Sequence, residues 1–187
     1  MFEMLENKIL ISHPSCNKDS LFYNTVIFLY QDRPNQGSLG FILNKPSKYT
    51  VEDICKDKKI EFNCSYRPPV YHGGPVNQQS LLMLHSDDWA SQNTVRISDK
   101  LCITSDNFML EKIGINDQPA YWKIVGGLCG WAPGQLQAEL TGKPPYQPNQ
   151  SWLIANATDD VLFNSTGKTA WKNAFDICSS QLFDRYL

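Results

Sequence analysis

The stretch that decides the fold reads Gly126-Gly127-Leu128-Cys129-Gly130-Trp131-Ala132-Pro133-Gly134-Gln135-Leu136-Gln137-Ala138-Glu139-Leu140. Glycine adopts positive φ and lets another backbone approach closely, so glycines clustered before a helical pattern predict a specific turn. We predict a strand over residues 120–125, then a glycine turn, then a helix over residues 133–140 that ends at Gly142. The turn between them is a candidate binding element.

Outward from this stretch, short β-branched and aromatic runs bounded by Pro, Gly and Asp predict the other strands. The strands are expected at residues 8–12, 25–30, 37–44, 81–85, 94–97, 101–104 and 152–155. Residues 34–37 predict a hairpin turn between the second and third strands. Helices are expected after an N-cap at Thr50, after a cap at Ser105, and over residues 169–183. Strands outnumber helices and form hairpin-like clusters, which favours an α+β fold over a doubly wound one.

Composition bounds the domain organisation and the classes of partner. A chain of 187 residues with 42% hydrophobic and 19% charged residues predicts a single domain spanning residues 1–187. The net charge is −2, so no overall basic field attracts nucleic acid or an anionic membrane. The longest apolar run is far shorter than the ~20 residues of a membrane helix. We therefore expect a cytoplasmic protein without membrane attachment, and we disfavour direct nucleic-acid binding.

Metal and cofactor sites are not predicted from the sequence. The six cysteines include no Cys-x-x-Cys pair, and the three histidines, His13, His72 and His85, lack companions at metal-ligand spacing. Cys129 has two interpretations. It is either a thiol activated by the dipole of the following helix or a small buried residue, and the buried interpretation is favoured.

The glycine turn itself also has two interpretations. The backbone N–H groups of residues 130–134 precede a predicted helix and would form an anion-binding nest, although Pro133 lacks one donor. Trp131 is either a stacking platform for a ligand or a core anchor, and the core anchor is favoured. Gln135 and Glu139 are four residues apart and are expected on one face of the helix.

Three motifs together resemble the YqgE/AlgH family: residues 37–46 (Gly-Ser-Leu-Gly-Phe-Ile-Leu-Asn-Lys-Pro), residues 71–76 (Tyr-His-Gly-Gly-Pro-Val) and residues 130–140 (Gly-Trp-Ala-Pro-Gly-Gln-Leu-Gln-Ala-Glu-Leu). The resemblance covers nearly the whole chain. It implies an α+β fold with a bent, barrel-like, mostly antiparallel sheet flanked by several helices. It implies no catalytic residues, and the family's bacterial name implies transcriptional regulation. This chain departs from the family pattern at Gln31-Asp32, where members usually have Glu-His, and at Gln137, where members often have glutamate.

Three functional hypotheses follow. The favoured one is a non-enzymatic binding or regulatory module, with an unknown protein or small-molecule partner. Its candidate surface consists of Asn44, His72, Gly73, Gly74, Trp131 and Gln135. The alternative is a small enzyme acting on an anionic ligand, with His72 as base, Asn44 and Gln135 as polar positioners, and residues 130–135 as the oxyanion site. Direct DNA-binding regulation is the least favoured, because no basic recognition helix is apparent.

Overall fold

A computed structural model describes residues 4–145 and 152–183, with side chains as far as residue 181. Ten strands lie in this part of the chain: β1 (Lys8–Ser12), β2 (Val26–Arg33), β3 (Gly37–Ile42), β4 (Pro46–Thr50), β5 (Pro69–His72), β6 (Val76–Ser86), β7 (Val95–Arg96), β8 (Leu101–Thr104), β9 (Trp122–Trp131) and β10 (Trp152–Asn156). The helices are α1 (Val51–Asp57), α2 (Phe108–Gly114), α3 (Gln135–Thr141) and α4 (Gly167–Phe183), with a π-helical turn at Asp160–Asn164.

The strands form one curled, mostly antiparallel sheet in the order β10-β1-β2-β3-β9-β6-β8-β7. The strands β4 and β5 lie off this path, and β5 pairs with β9 in parallel. The hairpin predicted between the second and third strands is confirmed as β2–β3, with a register shift between Leu29 and Gln31. The predicted α+β class, with a bent sheet and flanking helices, is also confirmed.

The strand β9 is central to the sheet and does not end where the sequence predicted. It continues through the glycines to Trp131 instead of stopping at residue 125. The reason is that backbone partners are present along its length. Its second half pairs with β3 at Cys129 and Trp131, and its first half pairs with β6 and β5. The predicted glycine turn is therefore mostly strand, and the true turn is confined to residues 132–134.

Helix caps follow the sequence in one case and depart from it in another. The predicted N-cap at Thr50 is confirmed, and Thr50 and Asp53 form a capping box in which the Thr50 hydroxyl accepts from the Asp53 N–H at 3.2 Å. The predicted cap at Ser105 is wrong. Helix α2 begins at Phe108, and the carboxylate of Asp106 accepts from the Met109 N–H at 3.0 Å. A carboxylate near the first turn also suits the helix dipole.

Helix α4 closes the core over β1, β2 and β10. Ala174 and Cys178 are buried, while Trp171 and Phe175 stack with their ring centroids 5.6 Å apart. These residues lie on one face at the helical spacing read from the sequence. Leu182 has the same helical spacing, but its side chain lies outside the described side chains.

Candidate functional site

Asn44, predicted as part of an exposed surface, is fully buried. Its side-chain oxygen accepts from the Val26 N–H at 2.9 Å, and its amide nitrogen donates to the carbonyls of Asn24 and Gly167, each at 2.8 Å. The Gly167 N–H in turn donates to the Asn44 carbonyl at 3.0 Å. All of these bonds are internal, so Asn44 joins the start of β2 to the start of α4 and offers nothing to a ligand.

Gly73 and Gly74 are also interior residues, because they cross directly over β9. A Cβ on Gly73 would lie 2.1 Å from the Gly127 carbonyl oxygen, and a Cβ on Gly74 would lie 2.3 Å from the Leu128 carbonyl. Both glycines permit close approach of two backbones rather than approach of a ligand. His72 is exposed, and its backbone N–H donates to the Lys45 carbonyl at 2.8 Å.

Trp131 and Gln135 belong to a hydrogen-bonded cluster around the Glu139 carboxylate. One Glu139 oxygen accepts from the indole nitrogens of Trp131 at 3.0 Å and Trp152 at 2.9 Å, and the other accepts from the Gln135 amide at 2.9 Å. The Gln135 side-chain oxygen accepts from the Ala132 N–H at 3.0 Å. Trp131 is only 7% exposed. It is the core anchor of this corner and not a stacking platform.

The six predicted surface residues therefore do not form one exposed surface, because four of them are buried. His72 and Gln135 are also separated. His72 pairs with Gly126, while α3 begins beyond Trp131. At about 3.3 Å per strand residue, Gly126 and Trp131 are roughly 16 Å apart along β9. The proposed base and the helix that carries its proposed positioning residue are thus attached at different points along β9.

The Cys129 thiol and the backbone N–H groups of residues 130–134 also have structural roles. Cys129 is 2% exposed, its sulfur lies 3.6 Å from the Gly73 carbonyl oxygen, and burial raises the pKa of its thiol to about 12. A thiol with that pKa is not an activated nucleophile. Leu39 and Gly130 are ladder partners, and the Gln135 N–H donates to the Ala132 carbonyl. Within the predicted nest, Pro133 has no N–H and the Ala132 N–H already donates to the Gln135 side chain, so residues 130–134 do not offer a continuous row of open donors.

A groove of about 350 Å³ lies beside this corner, between the β2–β3 hairpin and α3. We call it the hairpin groove. Its lining includes the apolar side chains of Met4, Pro34, Leu136 and Ala138, and the polar or charged side chains of Asp32, Arg33, Ser38, Gln137 and Lys143. A concave, largely apolar surface of this size with a few polar groups is typical of a ligand site. Two of the three sequence motifs contribute to it.

The polar groups of the hairpin groove differ in whether they already have a partner within the protein. The Asp32 carboxylate accepts from the Ser38 hydroxyl at 2.6 Å and from the Leu5 N–H at 2.9 Å. Arg33 is 60% exposed and lies 3.9 Å from the Glu6 carboxylate. Lys143 is exposed, and the Gln137 amide makes no side-chain hydrogen bond within the described residues. The groove thus offers an amide and two cations over an apolar floor.

Only part of this groove could be inferred from the sequence. Asp32 and Gln137, at which the chain departs from the family pattern, both line it. Arg33 ends β2 and Lys143 follows α3, and they line the same groove only because the hairpin lies beside α3. That approach could not be read from local sequence.

Two titratable side chains are buried in the sheet: Lys123, which the sequence analysis did not consider, and His85, which it considered only as a metal ligand. Lys123 is 3% exposed, and its ammonium donates to the carbonyls of Leu43 at 3.1 Å and Ser165 at 3.4 Å. Burial lowers its pKa to about 8. His85 is fully buried, and burial lowers its pKa too. Both residues lie in strands, and neither lines the hairpin groove.

The His85 ring has a defined hydrogen-bonding pattern. Its Nδ1 lies 2.7 Å from the Ser86 carbonyl oxygen and must donate, so neutral Nε2 accepts from the Thr104 hydroxyl at 2.9 Å. The Thr94 hydroxyl, 2.6 Å from that of Thr104, then donates to it, and the Thr94 oxygen accepts from the Ser91 N–H at 2.8 Å. This buried chain stabilises the neutral imidazole and is a structural element.

Within residues 4–145 and 152–183, no group of three His, Cys, Asp or Glu side chains is placed to hold a metal ion. No helix in the same residues is long and apolar enough to cross a membrane.

The curled sheet, the glycine crossing and the groove beside α3 define a small α+β protein with a ligand-sized concave site. A family model described as AlgH-like matches residues 9–182. The chain therefore belongs to the AlgH-like family, and the resemblance read from its three motifs is confirmed.

Relatives of known sequence and structure agree with this assignment. A UPF0301 protein of Vibrio atlanticus is 31% identical over 176 residues, covering 91% of this chain and 89% of the relative. The solution structure of the AlgH protein from Pseudomonas aeruginosa superposes with a TM-score of 0.75 at 26% identity, covering 95% of this chain and 92% of that chain. A crystal structure from Corynebacterium diphtheriae, with a TM-score of 0.67 at 21% identity and coverage of 92% and 86%, shares the fold.

Proposed function

We propose that this protein is a non-enzymatic binding module that holds its ligand in the hairpin groove. The observation that carries the proposal is the division of polar groups in that groove. Asp32 and Ser38 bond to each other, whereas Gln137 and Lys143 have no side-chain partner within the described residues, and the exposed Arg33 is only loosely paired, 3.9 Å from the Glu6 carboxylate. A ligand with an apolar body and one anionic group would cover the floor and approach the two cations.

The groove chemistry favours binding over catalysis. Among the groove residues, Ser38 has the hydroxyl that could act as a nucleophile. It donates instead to one oxygen of the Asp32 carboxylate, whose other oxygen accepts from the Leu5 N–H. No histidine is among the residues that line the groove. General-base activation of a serine needs a proton acceptor within hydrogen-bond reach that is free to take the proton. The carboxylate beside Ser38 is instead held by two internal hydrogen bonds.

Binding is tested by titrating the ¹⁵N-labelled protein with three probes that share an apolar body: hexanoate, hexanamide and hexylammonium. We expect hexanoate to perturb the amide resonances of Ser38, Gly134 and Gln137 most strongly, and hexylammonium least. Gln137→Glu places a negative charge in the groove and should weaken hexanoate binding, while Lys48→Gln, an exposed change outside the groove, should leave it unchanged. Shifts confined to other surfaces, or no shift with any probe, would contradict the proposal.

The absence of catalysis needs a separate measurement. We expect the protein not to accelerate hydrolysis of p-nitrophenyl acetate or p-nitrophenyl phosphate. Turnover that Ser38→Ala abolishes, in a variant that keeps the wild-type circular dichroism spectrum, would identify an enzyme and refute the non-enzymatic assignment.

A further inference from the structure

A second concave site lies beside β6, at the point where β8 leaves the sheet, and it shares no residue with the hairpin groove. We call it the polar cleft, and its volume is about 340 Å³. Tyr30 and Leu82 on its walls belong to the core cluster that includes residues of α4, whereas Met109 and Leu110 belong to the cluster that includes residues of α1. The polar cleft thus lies between the two core clusters.

The backbone of Leu81 has no strand partner on the side of this cleft. In an antiparallel ladder, both backbone groups of a residue point to the same neighbouring strand, and successive residues alternate between the two neighbours. The Ser86 N–H donates to the Tyr121 carbonyl on the β9 side, so the odd-numbered residues 81, 83 and 85 point to the β8 side. Met83 pairs with Thr104, the last residue of β8. The N–H and C=O of Leu81 therefore point past the end of β8.

The ladder on the other side of Leu81 supports this orientation. Gly126 lies opposite Leu81 on β9, and its carbonyl accepts from the Gly73 N–H at 2.7 Å instead of from β6. Beyond Leu81 the register shifts, because residues 77–80 are inserted before the next pair with β9. Such a bulge interrupts the alternation of backbone groups. An added peptide strand would find one regular hydrogen-bonding position here, at Leu81.

Four neutral side chains of the polar cleft make no hydrogen bond within the described residues. They are the hydroxyl of Tyr30 and the amides of Asn77, Gln79 and Asn107. The Tyr30 ring stacks on Phe41 with centroids 5.6 Å apart, and burial raises the pKa of its phenol, so the hydroxyl stays protonated and can donate. Each amide presents a donor and an acceptor side by side, as the Leu81 backbone does. The cleft therefore suits a ligand whose polar groups both donate and accept.

The charged groups of the polar cleft do not select an ion. The Asp106 carboxylate accepts from the Ser91 hydroxyl at 2.7 Å and from the N–H groups of Asn93 and Met109, each at 3.0 Å. It is a fixed negative wall, and the exposed Lys58 is the positive group of the lining. One charge of each sign gives no net field that would concentrate an anion or a cation. The expected ligand is neutral.

We propose that the polar cleft binds a neutral saccharide ring. Neighbouring hydroxyls of a pyranose each donate and accept, which matches the amides of Gln79 and Asn107 and the paired N–H and C=O of Leu81. The C–H face of the ring covers apolar side chains of the lining, as in sites that combine apolar surface with a few polar groups. A free anion is disfavoured by Asp106, and a peptide strand is disfavoured by the bulge at residues 77–80.

The test titrates the ¹⁵N-labelled protein with methyl α-D-glucopyranoside, methyl α-D-mannopyranoside and methyl β-D-galactopyranoside, neutral rings that differ in the orientation of their hydroxyls. Inorganic phosphate and acetyl-trialanine amide are the comparison ligands. We expect at least one pyranoside to shift the amide resonances of Leu81 and Asn107 in a saturable way. The resonances of Ser38 and Gln137 in the hairpin groove should not move. Phosphate and the peptide should give no saturable shift at Leu81.

Two variants remove single polar groups from the cleft. Tyr30→Phe loses the hydroxyl and keeps the ring on Phe41, and Asn107→Ala loses an exposed amide. Each should weaken pyranoside binding about threefold to tenfold, the effect of one neutral hydrogen bond. Neither side chain makes an internal hydrogen bond within the described residues, so both variants should fold. Tyr49→Phe is the matched control, because Tyr49 is 51% exposed and does not line the cleft, and it should bind as the wild type does.

Three results would overturn the saccharide proposal. They are no saturable shift of Leu81 with any of the three pyranosides, equal weakening by Tyr49→Phe, and binding of phosphate or the peptide at Leu81 in place of the pyranosides. Phosphate binding would assign the polar cleft to anions held by Lys58. Peptide binding would assign it to strand addition at the edge of β6.

Discussion

The Lys123 ammonium lies 4.6 Å from the centre of the Tyr71 ring, held in the interior by backbone carbonyls and an aromatic face. Its folded pKa of about 8 is below the 10.5 of an exposed lysine. The unfolded chain therefore binds more protons than the folded one between pH 8 and 10.5, and the free energy of unfolding must rise with pH across that interval.

Lys123→Met removes this dependence. We expect the unfolding free energy of the wild type, relative to that of the variant, to increase from pH 7 to pH 10.5 by on the order of 3 kcal/mol. Urea denaturation of both proteins at the two pH values measures it, and the difference between them cancels the other titrating groups. An equal difference at both pH values would show that Lys123 titrates alike in the folded and unfolded states.

His85 produces a dependence in the acid range. Burial lowers the pKa of its folded form below the ordinary value of 6.5. The contribution of neutral His85 to the free energy of unfolding is thus fully present above pH 6.5 and is lost as the pH falls from 6.5 toward the folded pKa. We expect the melting temperature to fall more steeply between pH 7 and pH 5 in the wild type than in His85→Gln. Parallel decreases in the two proteins would contradict this assignment.

Glu139 is the acceptor on which the Trp131 corner depends. Glu139→Leu leaves two indole N–H groups without their acceptor, and we expect a loss of about 2–5 kcal/mol in unfolding free energy. Glu139→Gln keeps an acceptor oxygen and should lose less. Chemical denaturation followed by tryptophan fluorescence measures both effects. The control Glu111→Leu replaces an exposed glutamate on α2 and should change stability by under about 0.5 kcal/mol.

Two glycines of the motifs should differ sharply in their tolerance of alanine. Gly73→Ala forces a Cβ to within 2.1 Å of a backbone oxygen, so β5 and β9 must separate, and we expect a loss above about 3 kcal/mol or no folded protein. At Gly130 the nearest atom to a Cβ is a flexible Leu39 methyl at 3.6 Å. Gly130→Ala should therefore be neutral or stabilise by up to about 1 kcal/mol. Equal thermal stability of the two variants would refute the crossing argument.

Elements determined by local sequence patterns were predicted correctly, whereas elements that depend on pairing with distant strands were not. The β2–β3 hairpin and the α1 capping box were predictable, because apolar runs and a Thr-x-x-Asp spacing act locally. The strand β4 was missed, because all five of its residues are at least partly exposed and lack an apolar pattern. Its partner β5 holds it in place.

The glycine motifs show why the candidate site was harder to predict than the fold. A glycine that allows a ligand to approach and a glycine that allows another strand to approach look the same in sequence. At Gly73 and Gly127 the approaching group is the chain itself. Lys123 was overlooked for a related reason. Strand alternation sets it on the face opposite Trp122, but only the assembled fold shows that both faces of β9 are covered.

The hydrogen bonds of Asn44 also constrain the order in which a growing chain can complete its fold. One of its amide bonds reaches Gly167, 123 residues further along the chain. Until Gly167 has left the ribosome, one N–H of that amide lacks its acceptor, and α4 does not yet cover the contact between the start of β2 and the residues after β3. A residue far along the chain therefore completes the hydrogen bonds at the start of β2, and a nascent chain stalled before Gly167 should be open to proteolysis at residues 24–44.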